Sequence, residues 1–109
     1  MKINITSRHF KANESLQQYI KGKIEDLEKY DETIIHADVI LSFEDASNNV
    51  QRCEVILKLR DQILTAKDDS DDFNKSVDSA IEKIEAQLHK YKDKHKTEKY
   101  FGKEVYKTI

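Results

Sequence analysis

The chain predicts an α+β domain of order β-α-β-β-β-α, a four-stranded sheet carrying two helices on one face. Two stretches, Ile35 to Glu44 and Val50 to Arg60, alternate apolar and polar residues with the period of two of a half-buried strand. A third stretch places Phe73, Val77, Ile81, Ile84, Leu88 and Tyr91 at steps of three and four, which makes one apolar helical stripe. The length of 109 residues suits a single modest core, because two halves would each bury too little without metal or disulfides.

The first strand is expected from Lys2 to His9, where Ile3, Ile5 and Ser7 alternate with Lys2, Asn4, Thr6 and Arg8. Asn13 is placed to cap a helix from Glu14 to Tyr30, with Leu16, Ile20, Ile24 and Leu27 as its buried stripe. Glu14 in the first turn and Lys29 in the last lie at the favourable ends of the helix dipole. Gly22 weakens the middle of that helix by about 1 kcal/mol relative to alanine. A close approach of helix to sheet would account for it.

In the second strand Ala37, Val39, Leu41 and Phe43 share the inward face, while His36, Asp38 and Ser42 point outward. After the polar loop Asp45 to Asn49, the third strand sends Cys53, Val55, Leu57 and Leu59 inward. Its outward set is Arg52, Glu54, Ile56, Lys58 and Arg60. Asp61-Gln62 is the expected turn into a fourth strand through Leu64 and Ala66, although Gln suits a positive φ poorly. The acidic run Asp68, Asp69, Ser70, Asp71, Asp72 offers N-caps for the closing helix, which is expected to enter the Lys90 to Lys96 region. Residues 1–96 then form the domain, and 97–109 a mobile basic-aromatic tail containing Tyr100, Phe101 and Tyr106.

Several function classes are disfavoured. With no Pro and glycines only at Gly22 and Gly102, there is no Gly-rich loop to cradle a phosphate. Cys53 stands alone, so neither an internal disulfide nor a Cys-rich zinc site can form, and its strand position marks a core thiol. His9, His36, His89 and His95 share no metal-ligand spacing. Helix capping explains the acidic run more simply than calcium binding does, since the spacing is not that of a calcium loop. His36 with Asp38, and His89 with Asp93, are candidate contacts rather than catalytic sites. No enzyme activity, cofactor or metal is implied. Met1 to Phe10 is polar and alternating, unlike the apolar core of a signal peptide, and no apolar run spans a membrane, so the cytoplasm is the expected location.

The net charge of −2 does not announce a nucleic-acid binder, but its distribution is uneven. From Lys90 to Lys107 the cations Lys90, Lys92, Lys94, Lys96, Lys99, Lys103 and Lys107 face only Asp93, Glu98 and Glu104. Local patches set the field that a polyanion meets. A solvated tail explains the same charges equally well.

The chain resembles the ribosome hibernation-promoting factors, also described as the ribosome-associated inhibitor or sigma-54 modulation family. The resemblance rests on the opening Ile3-Asn4-Ile5-Thr6-Ser7-Arg8, on Leu16, Tyr19, Lys23, Leu27, Glu28 and Lys29, and most strongly on the run from Val77 to Lys94. It covers Lys2 to Lys96. It implies a fold akin to the double-stranded RNA-binding domain and binding to the small ribosomal subunit and its ribosomal RNA, in the decoding channel where mRNA and transfer RNA would lie. It also implies ribosome hibernation under stress or in stationary phase, with pairing of idle ribosomes as a further role. No DNA or membrane partner is expected. The chain departs from the family pattern at Asp71-Asp72-Phe73, where Asp-Met-Tyr is usual, at Ala86, where Arg is frequent, and in its basic-aromatic tail.

The candidate RNA contacts are Lys83, Gln87, Lys90 and Lys94, which step along one face of the closing helix, with Lys92 beside them. Arg8, Lys23, Lys29, Lys58 and Arg60 complete the set. A salt-bridged or solvated surface is the competing reading for Lys23, Lys29, Lys58 and Arg60, given Glu25, Glu28, Glu54 and Asp61 nearby in sequence. Tyr91 is expected to bury its ring and keep its hydroxyl wet, and Tyr19 and Tyr30 to pack. The alternative function is a protein-interaction or homodimerisation module using Ile40, Ile56 and Ile63 on the open sheet face.

Overall fold

The computed structural model describes the backbone of residues 1–45 and 47–108 and the side chains of residues 1–45 and 47–93. The expectations for Lys94 and for the 97–109 tail fall on side chains outside that set. The elements are β1 (Lys2–Arg8), α1 (Glu14–Tyr30), β2 (His36–Asp45), β3 (Val50–Lys58), β4 (Ile63–Ser70) and α2 (Phe73–Thr108). They form one sheet of order β1-β2-β3-β4. β1 runs parallel to β2 and the other pairings are antiparallel. A parallel pair needs a crossover, which α1 supplies, whereas the antiparallel strands are joined by short loops.

Both helices lie on one face of the sheet, as the apolar stripes require. Ile20 and Ile24 of α1, Val77, Ile84 and Leu88 of α2, and Ala37, Leu41, Cys53, Val55 and Leu57 of the strands are fully buried together. Asn13 caps α1 as expected, its Oδ1 accepting from the Leu16 N–H at 2.8 Å. Asp31 ends α1, donating its N–H to the Leu27 carbonyl, and its buried Oδ1 accepts from both Thr33 N–H and Thr33 Oγ1. That pairing turns the chain into β2.

Three local expectations are corrected, and the expected β3–β4 turn is found. Gly22 lies on the exposed side of α1, and a Cβ there would meet nothing within 4 Å, so no close approach to the sheet requires it. The register shifts between Phe43 and Asp45; Phe43 lies at the rim with 43% exposure, and Ser42, expected outward, is buried with its hydroxyl donating to Glu44. The acidic run divides: Asp68 and Asp69 belong to β4, opposite Cys53 and Arg52, so they cap nothing. Asp72 caps α2, with Oδ1 accepting from the Asn74 N–H and its carbonyl from the Ser76 N–H. Finally, the β3–β4 turn closes through the Leu59 N–H and the Gln62 carbonyl at 2.9 Å, with no positive φ at Asp61 or Gln62.

Candidate functional site

Strand register arranges the open sheet face into rows. Lys2, His36, Lys58 and Ile63 lie side by side across the four strands, and Arg8, Ser42, Arg52 and Asp69 form the row at the opposite end. The two rows are about 20 Å apart at ~3.3 Å per residue. Arg8 is therefore remote from Lys58.

The end holding Lys58 gathers cations from separate elements. Lys92 of α2 donates to the Tyr30 carbonyl at the end of α1 at 2.8 Å, and its Nζ sits 4.2 Å from the Tyr30 ring centroid. The Tyr30 hydroxyl is 2.5 Å from His89 Nδ1. One residue pair away, the Tyr91 hydroxyl donates to Asp61 in the β3–β4 turn at 2.8 Å. These contacts hold this part of α2 between the end of α1 and the turn. Lys29 of α1, Lys58 of β3, Arg60 of the β3–β4 turn and Lys90 of α2 lie toward this end, alongside Asp31, Asp61, Glu85 and Asp93. The side chains of these four cations, and that of Arg8, have no hydrogen-bond or ion-pair partner among the described residues. Lys2 joins them through the register Lys2↔His36↔Lys58. Sequence reading passed over Lys2, because only the strand register reveals its neighbours.

The opposite end is acidic. Glu44, Asp45, Asp69, Asp71 and Asp72 lie toward it; Arg52 bridges Glu44 at 2.7 Å and Asp69 at 2.7 Å, and Lys75 pairs with Asp71. The Arg52 hydrogen bonds hold the Asp69 carboxyl below the usual carboxylate range. Phe10, Phe43 and Phe73 cluster at the same end, Phe10 stacked on Phe73 at 4.9 Å with Phe43 edge-on to both.

The other expected contacts have partners inside the fold. Lys83 donates to the Lys67 carbonyl at 3.3 Å and lies 3.3 Å from the Asp68 carboxylate; Gln87 Nε2 donates to the Thr65 carbonyl at 2.6 Å. Both therefore cover the outer edge of β4. Lys23 reaches Asp78 of α2 at 3.9 Å, and the Tyr19 hydroxyl donates to the same carboxylate, which raises the Tyr19 pKa. The face stepping through Lys83, Gln87 and Lys90 is thus not uniformly free. The Tyr91 hydroxyl is bonded rather than wet, and burial first, then the Asp61 hydrogen bond, raises its pKa. His89 pairs with Tyr30, not with Asp93.

His36 and Asp38 do pair, at 2.8 Å, and the hydrogen bond from His36 lowers the Asp38 pKa. Cys53 is fully buried, and desolvation pushes its thiol up to about 12. Among the described residues no cluster of His, Cys, Asp or Glu is arranged to hold a metal, and no helix is long and apolar enough to cross a membrane. Ile40, Ile56 and Ile63 fall on one diagonal of the open face, with Ile63 56% exposed.

The chain is a small α+β domain with a mixed four-stranded sheet and both helices on one face. The family model described as "Sigma 54 modulation protein / S30EA ribosomal protein" matches residues 3–96, and the chain belongs to that family. It is a family of non-catalytic factors. The chain is 28% identical over 101 residues to a ribosome hibernation promotion factor of Deinococcus radiodurans, covering 91% of this chain and 53% of that protein. It is 27% identical to the Bacillus subtilis factor of the same name, covering 86% of this chain and 50% of the other. The chain thus spans about half the length of these two relatives. Against the ribosome hibernation promoting factor of Escherichia coli the identity is 28% over 96 residues, covering 88% of this chain and 98% of the other. Among solved structures, a ribosomal subunit interface protein from Coxiella burnetii superposes with a TM-score of 0.78 at 25% identity, covering 85% of this chain and 99% of that one. The N-terminal domain of Thermus thermophilus Protein Y shares the fold, with a TM-score of 0.73 at 21% identity, covering 84% of this chain and 99% of the other.

Proposed function

We propose that this chain binds the small ribosomal subunit in the decoding channel, excludes mRNA and transfer RNA, and promotes ribosome hibernation in stressed or stationary cells. The observation that carries the reading is that the side chains of Lys29, Lys58, Arg60 and Lys90, toward one end of the fold, have no hydrogen-bond or ion-pair partner among the described residues. Neutralising phosphates with such groups releases condensed counterions, and folded RNA is recognised largely through its shape and backbone. The acidic opposite end would orient the molecule by repulsion from RNA.

Two helices on one face of a four-stranded sheet support a likeness to the double-stranded RNA-binding domain. The names of the relatives support hibernation as the outcome. Pairing of idle ribosomes and a cytoplasmic location are further parts of the proposal. Residues 1–96 are the ribosome-binding unit in this reading, and 97–109 an appendage. Lys94 remains a contact of this unit, and Lys92 contributes through its charge while it ties α2 to α1.

Sedimentation of the chain with purified small subunits across a salt series tests the reading. Binding is expected at low salt and should fall steeply as salt rises. Lys58→Glu with Arg60→Glu and Lys90→Glu should abolish co-sedimentation, and competition with transfer RNA should locate the site. A chain that stays at the top of the gradient at low salt overturns the proposal. The diagonal of Ile40, Ile56 and Ile63 supports a second reading, self-association through the open face, which would persist at high salt.

A further inference from the structure

The two edges of the sheet are treated differently. On β4 the outward carbonyls of Thr65 and Lys67 accept from Gln87 and Lys83, so α2 covers that edge. On β1 the Lys2 N–H donates to the Ile35 carbonyl, which fixes the phase of the parallel ladder. The backbone groups of Lys2, Asn4, Thr6 and Arg8 then face β2, and those of Ile3, Ile5 and Ser7 point away from the sheet. Among the described residues none of these outward N–H and C=O groups has a hydrogen-bond partner. An exposed row of this kind is a template for another strand.

The side chains decide what can occupy it. Lys2 and Arg8, near the two ends of β1, are exposed and have no ion pair among the described residues. A second copy of β1, paired antiparallel about Ile5, would set Lys2 against Arg8 at both ends of the ladder. Like charges directly opposite one another are destabilising, so self-pairing is disfavoured. A strand with carboxylates at those two places converts both repulsions into attractions. Side chains six positions apart on a strand share a face, so one extended segment can present both.

We propose that the β1 edge is a docking site for an extended acidic polypeptide segment, which adds as a fifth strand with carboxylates opposite Lys2 and Arg8. The site lies along the outer edge of β1; Arg8 is remote from the end assigned to RNA, whereas Lys2 belongs to it. Peptide binding is measured on the chain without ribosomes, so its failure and the failure of ribosome binding are read separately.

The test uses the full chain and a fluorescein-labelled peptide, Glu-Val-Thr-Val-Thr-Val-Glu, with a control in which both Glu are Lys. Fluorescence anisotropy should show the Glu peptide binding about tenfold more tightly than the Lys peptide. Amide exchange should show new protection at Ile3, Ile5 and Ser7. The Lys2→Glu, Arg8→Glu double variant should reverse the preference. Equal binding of the two peptides by the unmodified chain, or protection elsewhere, overturns the proposal without recourse to any variant. A peptide-free dimer with the β1 amides already protected also overturns it, in favour of a second copy as the occupant.

Discussion

Gln87 on α2 donates its side-chain amide to the Thr65 carbonyl on the outer edge of β4 at 2.6 Å. Lys83, one helical turn earlier, makes the same kind of contact with the Lys67 carbonyl. These residues seal a sheet edge, so their first expected effect is on stability. Gln87→Ala should lower unfolding free energy by about 1 kcal/mol, the usual net value of such a hydrogen bond. It should change small-subunit affinity less than twofold. Lys58→Glu with Arg60→Glu should do the reverse, leaving stability within about 0.5 kcal/mol while weakening the complex at least about tenfold. Urea unfolding and sedimentation on the same proteins separate the two roles.

Cys53 lies fully buried in the central part of β3, and its thiol pKa is about 12. Alkylation requires the thiolate and access, both denied in the folded state. Iodoacetamide at pH 8 should therefore label the native chain far more slowly than the urea-unfolded chain, in step with global opening. Because the folded thiol keeps its proton where the unfolded thiol loses it, stability should decline as pH rises past the ordinary cysteine range. Mass spectrometry of timed aliquots reads the first effect. Unfolding curves at alkaline pH read the second.

Arg52 bridges Glu44 and Asp69 on the open face, and its hydrogen bonds lower the Asp69 pKa. A depressed folded carboxylate contributes stability at neutral pH, and that contribution disappears as pH falls through the folded value. Arg52→Gln should return the Asp69 titration toward the ordinary carboxylate range in a carbonyl-carbon NMR titration. Solvent screening limits the stability cost at pH 7 to about 0.5–1 kcal/mol. The wild-type advantage should vanish in acid.

Gly22 sits on the exposed side of α1 with open space where a Cβ would lie. Gly22→Ala should raise stability by about 1 kcal/mol, because alanine loses less backbone freedom on entering a helix and meets no neighbour. Thermal unfolding at fixed pH measures it. A loss of stability would mean that the helix packs more tightly there than its surroundings show.

Local patterns carried much of the fold. Alternation located the strands, the steps of three and four located α1 and α2, and the short polar side chain of Asn13 identified a cap. The His36–Asp38 contact was legible too, because residues two apart on a strand share a face. The end of β4 was not. Asp68 and Asp69 have the composition of a helix cap, yet pairing with β3 carries the strand through Ser70. The aromatic cluster of Phe10, Phe43 and Phe73 was likewise hidden, since its members come from three separate stretches of the chain.

The cationic site shows the same division. The sequence alone determined which residues carry charge, which faces of the helices and strands are apolar, and that Cys53 is the one thiol. Only the tertiary structure decided which charges are free. It turned Lys83, Gln87 and Lys92 toward backbone carbonyls, brought Lys23 to Asp78, and left Lys29, Lys58, Arg60 and Lys90 without a partner among the described residues. The physical reason is range. Apolar periodicity is fixed by neighbours along the chain, whereas the partner of a long polar side chain depends on strand register and on where a helix crosses the sheet.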